Sequence, residues 1–178
     1  HLQARPVFKC ISSTINTEIK SVVQRLSIAI KYMLTGSGPM AMAASLATAF
    51  LKTNQELEAP DIQFHIQPFS TNKPGDPTHT FSAFTASVLQ LRPESTGHLE
   101  LRSSGPDEHP AIHPNYLATT KDCDTIVAGI KVARAICGTE PVKSLIIGEH
   151  SPGPFVGTND DEAILEWTRN TATTIYHP

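Results

Sequence analysis

Chemistry near neutral pH would be built from the eight histidines and three cysteines of this 178-residue chain. Histidine is the usual general base in that range, because its ordinary pKa lies close to neutrality. His177 stands next to the last residue, at the end of the segment TATTIYHP. Taken alone, a histidine beside a terminus reads as a surface residue. His109 and His113 have the i, i+4 spacing of a helical metal pair, but Pro110 and Pro114 rule out a helix there. With no third ligand nearby in sequence, no metal site is expected. Cys10, Cys123 and Cys137 contain no C-x-x-C pair and are odd in number, so neither a zinc ribbon nor a disulfide framework follows. They read as idle thiols of a reducing compartment, which leans toward a cytoplasmic location and leaves peripheral membrane association open. Ser103-Ser104-Gly105 lacks the G-x-S-x-G setting of a nucleophile elbow. No G-x-G-x-x-G occurs, so no dinucleotide cradle of that kind lies in this chain.

The elements that would position these residues are read from periodicity. Ile19, Val22, Val23, Leu26, Ile30, Met33 and Leu34 form one helical face over 17–34, and Gly36 to Pro39 break it. Met40 to Phe50 is small and apolar, and periodicity does not decide between helix and strand. Asp61 to Ile66 alternates after Pro60 and reads as a strand; 70–80 is a polar Pro/Gly loop; 81–91 is a second strand. His98 to Leu101 makes a third after the Thr96-Gly97 turn, with 110–115 extended behind it. Lys121 to Cys137 is an amphipathic helix with Ile126, Ile130, Ala133 and Cys137 on one side, capped at Thr119 or Thr120 and ended by Gly138. Asn159 to Arg169 is another, capped by Thr158 or Asn159, with Ile164, Leu165 and Thr168 inward and Asp160 to Glu162 complementing its dipole. Strands in a run with helices to one side give α+β: an antiparallel sheet flanked by helices.

The net charge of −3 gives no basic field for nucleic acid or an anionic membrane. No apolar run approaches the ~20 residues that cross a bilayer. The 14 prolines and 10 glycines are spread along the chain, as in a loop-rich single domain and not at one linker.

Several segments carry a family resemblance, two of them foremost. Arg92-Pro93-Glu94-Ser95 and Gly97, then Leu99, Leu101 and Arg102-Ser103, then Pro110, Ile112 and Pro114-Asn115-Tyr116-Leu117 resemble the R-P-x-S-x-G … L-x-S-x-D-P … P-x-I-x-x-N-Y-L pattern of the glucose–methanol–choline (GMC) oxidoreductases. One position departs, since Gly105 stands where that family usually has Asp before Pro106. TATTIYHP resembles the segment that brings the family's catalytic histidine into its site, which falls on His177. His1-Leu2 resembles the end of the family's N-x-x-D-H-L, and Asp61 to His65 its P-D-x-Q-F-H strand.

The resemblance implies that 1–178 is the family's substrate-binding domain, cut at both ends, without the Rossmann-like domain that binds most of the FAD. It implies FAD-dependent oxidation of a primary or secondary alcohol to a carbonyl, with the electron acceptor open. His177 would take the hydroxyl proton, Tyr176 would border the substrate, and Pro178 would lie along the flavin. Either Phe64 or His65 would face the pocket, since neighbours in a strand point to opposite faces. Leu46 falls where choline-oxidising members carry a Glu. A cation needs a carboxylate or an aromatic cage, so an uncharged alcohol is expected. The alternative is a non-catalytic binding or structural domain, with no flavin of its own and an exposed apolar face.

Overall fold

The computed structural model describes residues 1–175. Its framework is an antiparallel sheet. The strands are β1 (Leu2–Ala4), β2 (Val7–Cys10), β3 (Ala47–Leu51), β4 (Ile62–Gln67) and β5 (Ala83–Gln90). A separate hairpin is formed by β6 (His98–Glu100) and β7 (Ala111–His113). The edge beyond β1 and β2 is supplied by β8 (Ile146–Ser151) and β9 (Thr173–Thr174). The helices are α1 (Ile15–Glu18), α2 (Val22–Thr35), α3 (Thr120–Cys137) and α4 (Asp161–Thr171).

Across the sheet the order is β3, β4, β5, then the line of β1 and β2, then β9 beside β1 and β8 beside β2. β1 and β2 are two halves of one extended run. The register Ala4 to Val88 continues as Val7 to Thr85, through Arg5 and Pro6. Proline has no N–H to give to a ladder, but the Pro6 carbonyl still accepts from the Ala86 N–H at 2.9 Å.

One face of the sheet is covered by α3, with α4 packed on α3. The core there joins Ala4, Ile62, Phe64 and Val88 to Ile126, Val127, Ile130, Ala133 and Ile164. A fully buried Ile or Phe of this kind stabilises by about 1.5–3 kcal/mol. Gly129 sets the spacing, since a Cβ on it would stand 2.6 Å from a Val88 methyl. The helix therefore lies on the strands closer than any side chain there would allow.

Helix α2 forms as its periodicity requires, entered by a Ser21–Gln24 capping box and ended by Gly36 at φ 61°. The expected helix over 17–34 is split, with the short α1 ending before Ser21. Its apolar stripe is covered by nothing among the described residues: Val22 and Val23 are each 77% exposed and Met33 83%. The stretch 40–50, undecided by periodicity, becomes a short turn and then β3. Strands β1, β2, β8 and β9 have no counterpart in the sequence reading. The cap of α4 is Asp160, whose side chain accepts from the Ala163 N–H at 3.0 Å, and not Thr158 or Asn159.

Candidate active site

The opposite face of the sheet is polar, and alternation along each strand builds it. Three rows cross the strands. The first holds Phe50, Gln63, Leu89, Gln3 and Thr173. The second holds Thr48, His65 and Ser87. Arg5 extends it beyond Ser87, because the register is the same on both sides of Arg5. The third holds Gln67, Thr85 and Val7. Leu46, one residue before β3, donates its N–H to the Ile66 carbonyl at 2.9 Å and is 55% exposed at this edge.

Phe64 and His65 part company here. Phe64 is 3% exposed and belongs to the core under α3. His65 pairs with Ser87 on the polar face. Tyr176, His177 and Pro178 lie outside the described residues. Among the residues expected from sequence, the fold thus puts His65 on the polar face, Phe64 in the core and Leu46 exposed at the β3 edge.

Buried polar atoms concentrate on this face. Arg5 Nη1, Gln67 Oε1, Ser87 Oγ and Thr173 Oγ1 are buried without a hydrogen-bond partner among the described residues. Ser87 is fully buried. Folded proteins pair nearly all such groups, so a cluster of exceptions calls for a ligand, a water or a further segment of protein. A cleft of about 450 Å³ opens beside them, lined by Gln3, Arg5, Gln67, Thr71 and Asp76 among others.

The loop over 70–80 forms the cleft's wall, and a network pins it. Asn16 donates from Nδ2 to Ser70 Oγ at 2.9 Å and accepts from the Ser70 N–H at 3.0 Å. His79 bonds Ser70 Oγ through Nδ1 at 2.8 Å and Asn72 Oδ1 through Nε2 at 3.0 Å. Its ring stacks on Phe81 at 4.9 Å and meets His150 edge-on at 5.1 Å. Burial, then the charges of His150, Arg5 and Lys9, hold His79 below its ordinary 6.5. Burial and Lys9 do the same to His150. Arg5 donates to Thr71 Oγ1 at 3.1 Å; burial lowers its pKa, and Asp76 offsets part of that.

The R-P-x-S-x-G segment lies elsewhere and acts as an anchor. Asp122, 1% exposed in the first turn of α3, accepts from Gln90 Nε2 at 2.9 Å and from the Glu94 and Ser95 N–H groups at 2.9 and 2.8 Å. The Ser95 hydroxyl also donates to it, and accepts from the Ala118 N–H at 2.9 Å. Desolvation would raise the Asp122 pKa, but these bonds outweigh it and bring it from 3.8 to about 2.

Residues 93–178 match the family model described as GMC oxidoreductase. The chain is 34% identical over 147 residues to an alcohol dehydrogenase [acceptor] of Pseudomonas putida, covering 83% of this chain and 26% of that protein. It is 30% identical over 179 residues to an oxygen-dependent choline dehydrogenase of Staphylococcus aureus, covering 100% of this chain and 31% of that protein. In structure it follows formate oxidase of Aspergillus oryzae with a TM-score of 0.87 at 19% identity, over 100% of this chain and 36% of that one. Pyridoxine 4-oxidase from Mesorbium loti gives a TM-score of 0.73 at 16% identity, over 100% of this chain and 31% of that one. The fold is therefore shared with these oxidases: an antiparallel sheet with helices packed on one face. The chain belongs to the GMC oxidoreductases, and spans less than a third of the curated relatives it matches.

Sequence reasoning missed Arg5, Gln67, Ser87 and Thr173. The signal was partly present. Gln63, His65 and Gln67 alternate with Ile62, Phe64 and Ile66, as in a strand with one dry and one polar face. Arg5 lies between two short strands and Thr173 on a two-residue one, neither readable from periodicity.

Proposed function

We propose that this chain forms the substrate-facing wall of an FAD-dependent enzyme that oxidises the CH–OH group of an uncharged alcohol to a carbonyl. The observation that carries the reading is the polar sheet face with its buried, partnerless Arg5, Gln67, Ser87 and Thr173 groups, in a chain of this family. That face fits a place beside a flavin and its substrate. It does not fit a nucleotide cradle, because no glycine-rich phosphate loop lies in the sequence. FAD, held mainly by residues beyond this chain, supplies the hydride acceptor when bound.

In this reading His177 takes the hydroxyl proton, with Tyr176 and Pro178 beside the substrate and flavin. Support comes from the match to the family, which runs through residue 178. Arg5 and Gln67, which line the cleft, orient the substrate by hydrogen bonds, with His65 and the buried Ser87 in the row that Arg5 extends. Leu46 lies at the open edge as an apolar wall. No position in the three rows is acidic, Arg5 among them is cationic, and Asp76 on the loop is the carboxylate lining the cleft. A quaternary ammonium would meet that Arg5 charge unfavourably, so a neutral alcohol is favoured. The exposed stripe of α2 supports the remainder of the protein as its cover. Without FAD, the chain on its own is a non-catalytic domain.

The test compares the protein that carries this segment with its His177→Ala variant. Loss of a general base lowers kcat about 10²- to 10⁴-fold, while the bound-flavin absorbance stays unchanged. Undiminished alcohol oxidation in the variant would refute the role of His177. Faster turnover of choline than of neutral alcohols would refute the substrate class. The 178-residue chain alone mixed with FAD should give no tight yellow complex.

A further inference from the structure

We propose that His98, Glu100 and His113 form a surface site for one zinc-type divalent ion. The three side chains come together only through the fold. His98 and Glu100 are two apart on β6, so they share one face of the strand. His113 is the direct cross-strand partner of His98. Its Nε2 lies 3.2 Å from Glu100 Oε1, and its ring lies 4.6 Å from the His98 ring, nearly parallel at 20°. The ligating atoms of all three lie within 4.8 Å of one another.

The geometry suits a metal. Zn–N and Zn–O bonds of about 2.0–2.2 Å place two ligand atoms roughly 3.3 Å apart across a tetrahedral angle. The His113–Glu100 pair is already at that spacing. His98 has to close by at most about 1.5 Å by ring rotation, which side chains exposed on this hairpin are free to do. Two imidazoles and one carboxylate suit Zn²⁺, Ni²⁺ or Cu²⁺ better than Mg²⁺ or Ca²⁺. The fourth position is left to water.

The hairpin register that creates the site is held firmly. A Cβ on Gly97 would stand 2.0 Å from the His113 carbonyl oxygen, so the strands approach there as only glycine allows. Ser95, two residues earlier, is tied to Asp122 and to the start of α3. His98 is therefore delivered opposite His113 by backbone packing and needs no ion to get there. In sequence the neighbouring histidine of His113 is His109, which the prolines keep from forming a helical pair with it; the fold sets His98 opposite His113.

Titration of the 178-residue chain with ZnCl₂ at pH 7.5 tests the site, alongside Co²⁺ absorption spectra. The expected result is one saturable equivalent, with affinity reduced at least ~10-fold in His98→Ala and in His113→Ala, and unchanged in His109→Ala. Circular dichroism of each variant checks the fold. As an independent reading, Zn²⁺ should shift the ring proton resonances of His98 and His113 in the unaltered chain. No saturable uptake below about 100 μM, or uptake indifferent to both substitutions and to those two resonances, overturns the proposal.

Discussion

Asp122→Asn tests the anchor beneath the R-P-x-S-x-G segment. The Asp122 carboxylate is buried and receives three N–H groups and one hydroxyl. Its pKa falls from 3.8 to about 2. At 1.36 kcal/mol per unit, that difference is worth about 2 kcal/mol of folding stability. The folded-state pKa is depressed, so this share is present above about pH 4 and is lost as the pH falls through about 2. An amide in the same place cannot accept from all four donors, because one of its two polar atoms is itself a donor. At least one donor is left unpaired, which brings the expected loss at pH 7 to about 2–4 kcal/mol. The assay is urea unfolding at pH 7, followed by unfolding along a series from pH 5 to pH 2. The variant should unfold at lower urea at pH 7 and should lack the acid-dependent part of the parent's decline. An unchanged midpoint at pH 7 would refute the argument, as would an unchanged slope between pH 4 and pH 2. Either result would mean that solvent or a relaxed backbone replaces these bonds at no cost.

Other expectations follow from single contacts. Arg134→Ala removes a guanidinium that holds Glu149 through two bonds of 2.9 Å and the Val156 carbonyl through another. Leaving Glu149 partly buried and unpaired should cost about 3–5 kcal/mol, read by thermal unfolding. Gly97→Ala should disrupt the β6–β7 hairpin and collapse the amide shift dispersion of 98–113 in an NMR spectrum, since its Cβ would overlap the His113 carbonyl; a native-like spectrum there would contradict it. Burial and the neighbouring Glu149 charge push the Cys137 thiol up to about 12, so it should resist alkylation at pH 8 until the chain is unfolded, as mass mapping would show. His79 and His150 are both held below 6.5 in the folded state. The stability they contribute is present above pH 6.5 and falls as the pH drops through their lowered values. Protease cutting in the 70–80 loop should therefore rise on acidification below pH 6, and less so in His79→Gln.

What the sequence made legible follows from range. Helix α3 announces itself because its stripe of Ile126, Ile130 and Ala133 repeats within one element. Alternation in β4 shows that Phe64 and His65 must part. It does not show which one goes under α3, because that depends on Val88 and Ala4 arriving from distant strands. The stretch 119–122 has the pattern of a helix start with an acidic third residue, and read locally Asp122 complements the helix dipole. The fold turns it across to Ser95 and Gln90, a long-range use that spacing alone does not reveal. Strands β1 and β9 are only three and two residues long, and ladder partners define them more than their own residues do. Helix α2 is the opposite case. Its periodicity was easy to read, yet the inference from an apolar stripe to a buried one fails among the described residues. A stripe marks only what must be covered, and the cover can lie outside the segment that carries it. The buried orphan groups of Gln67 and Ser87 follow the same logic in polar form. Apolar stripe and polar orphans together mark a domain whose two unfinished surfaces call for partners, protein for α2 and, in the proposed enzyme, substrate and flavin for the sheet.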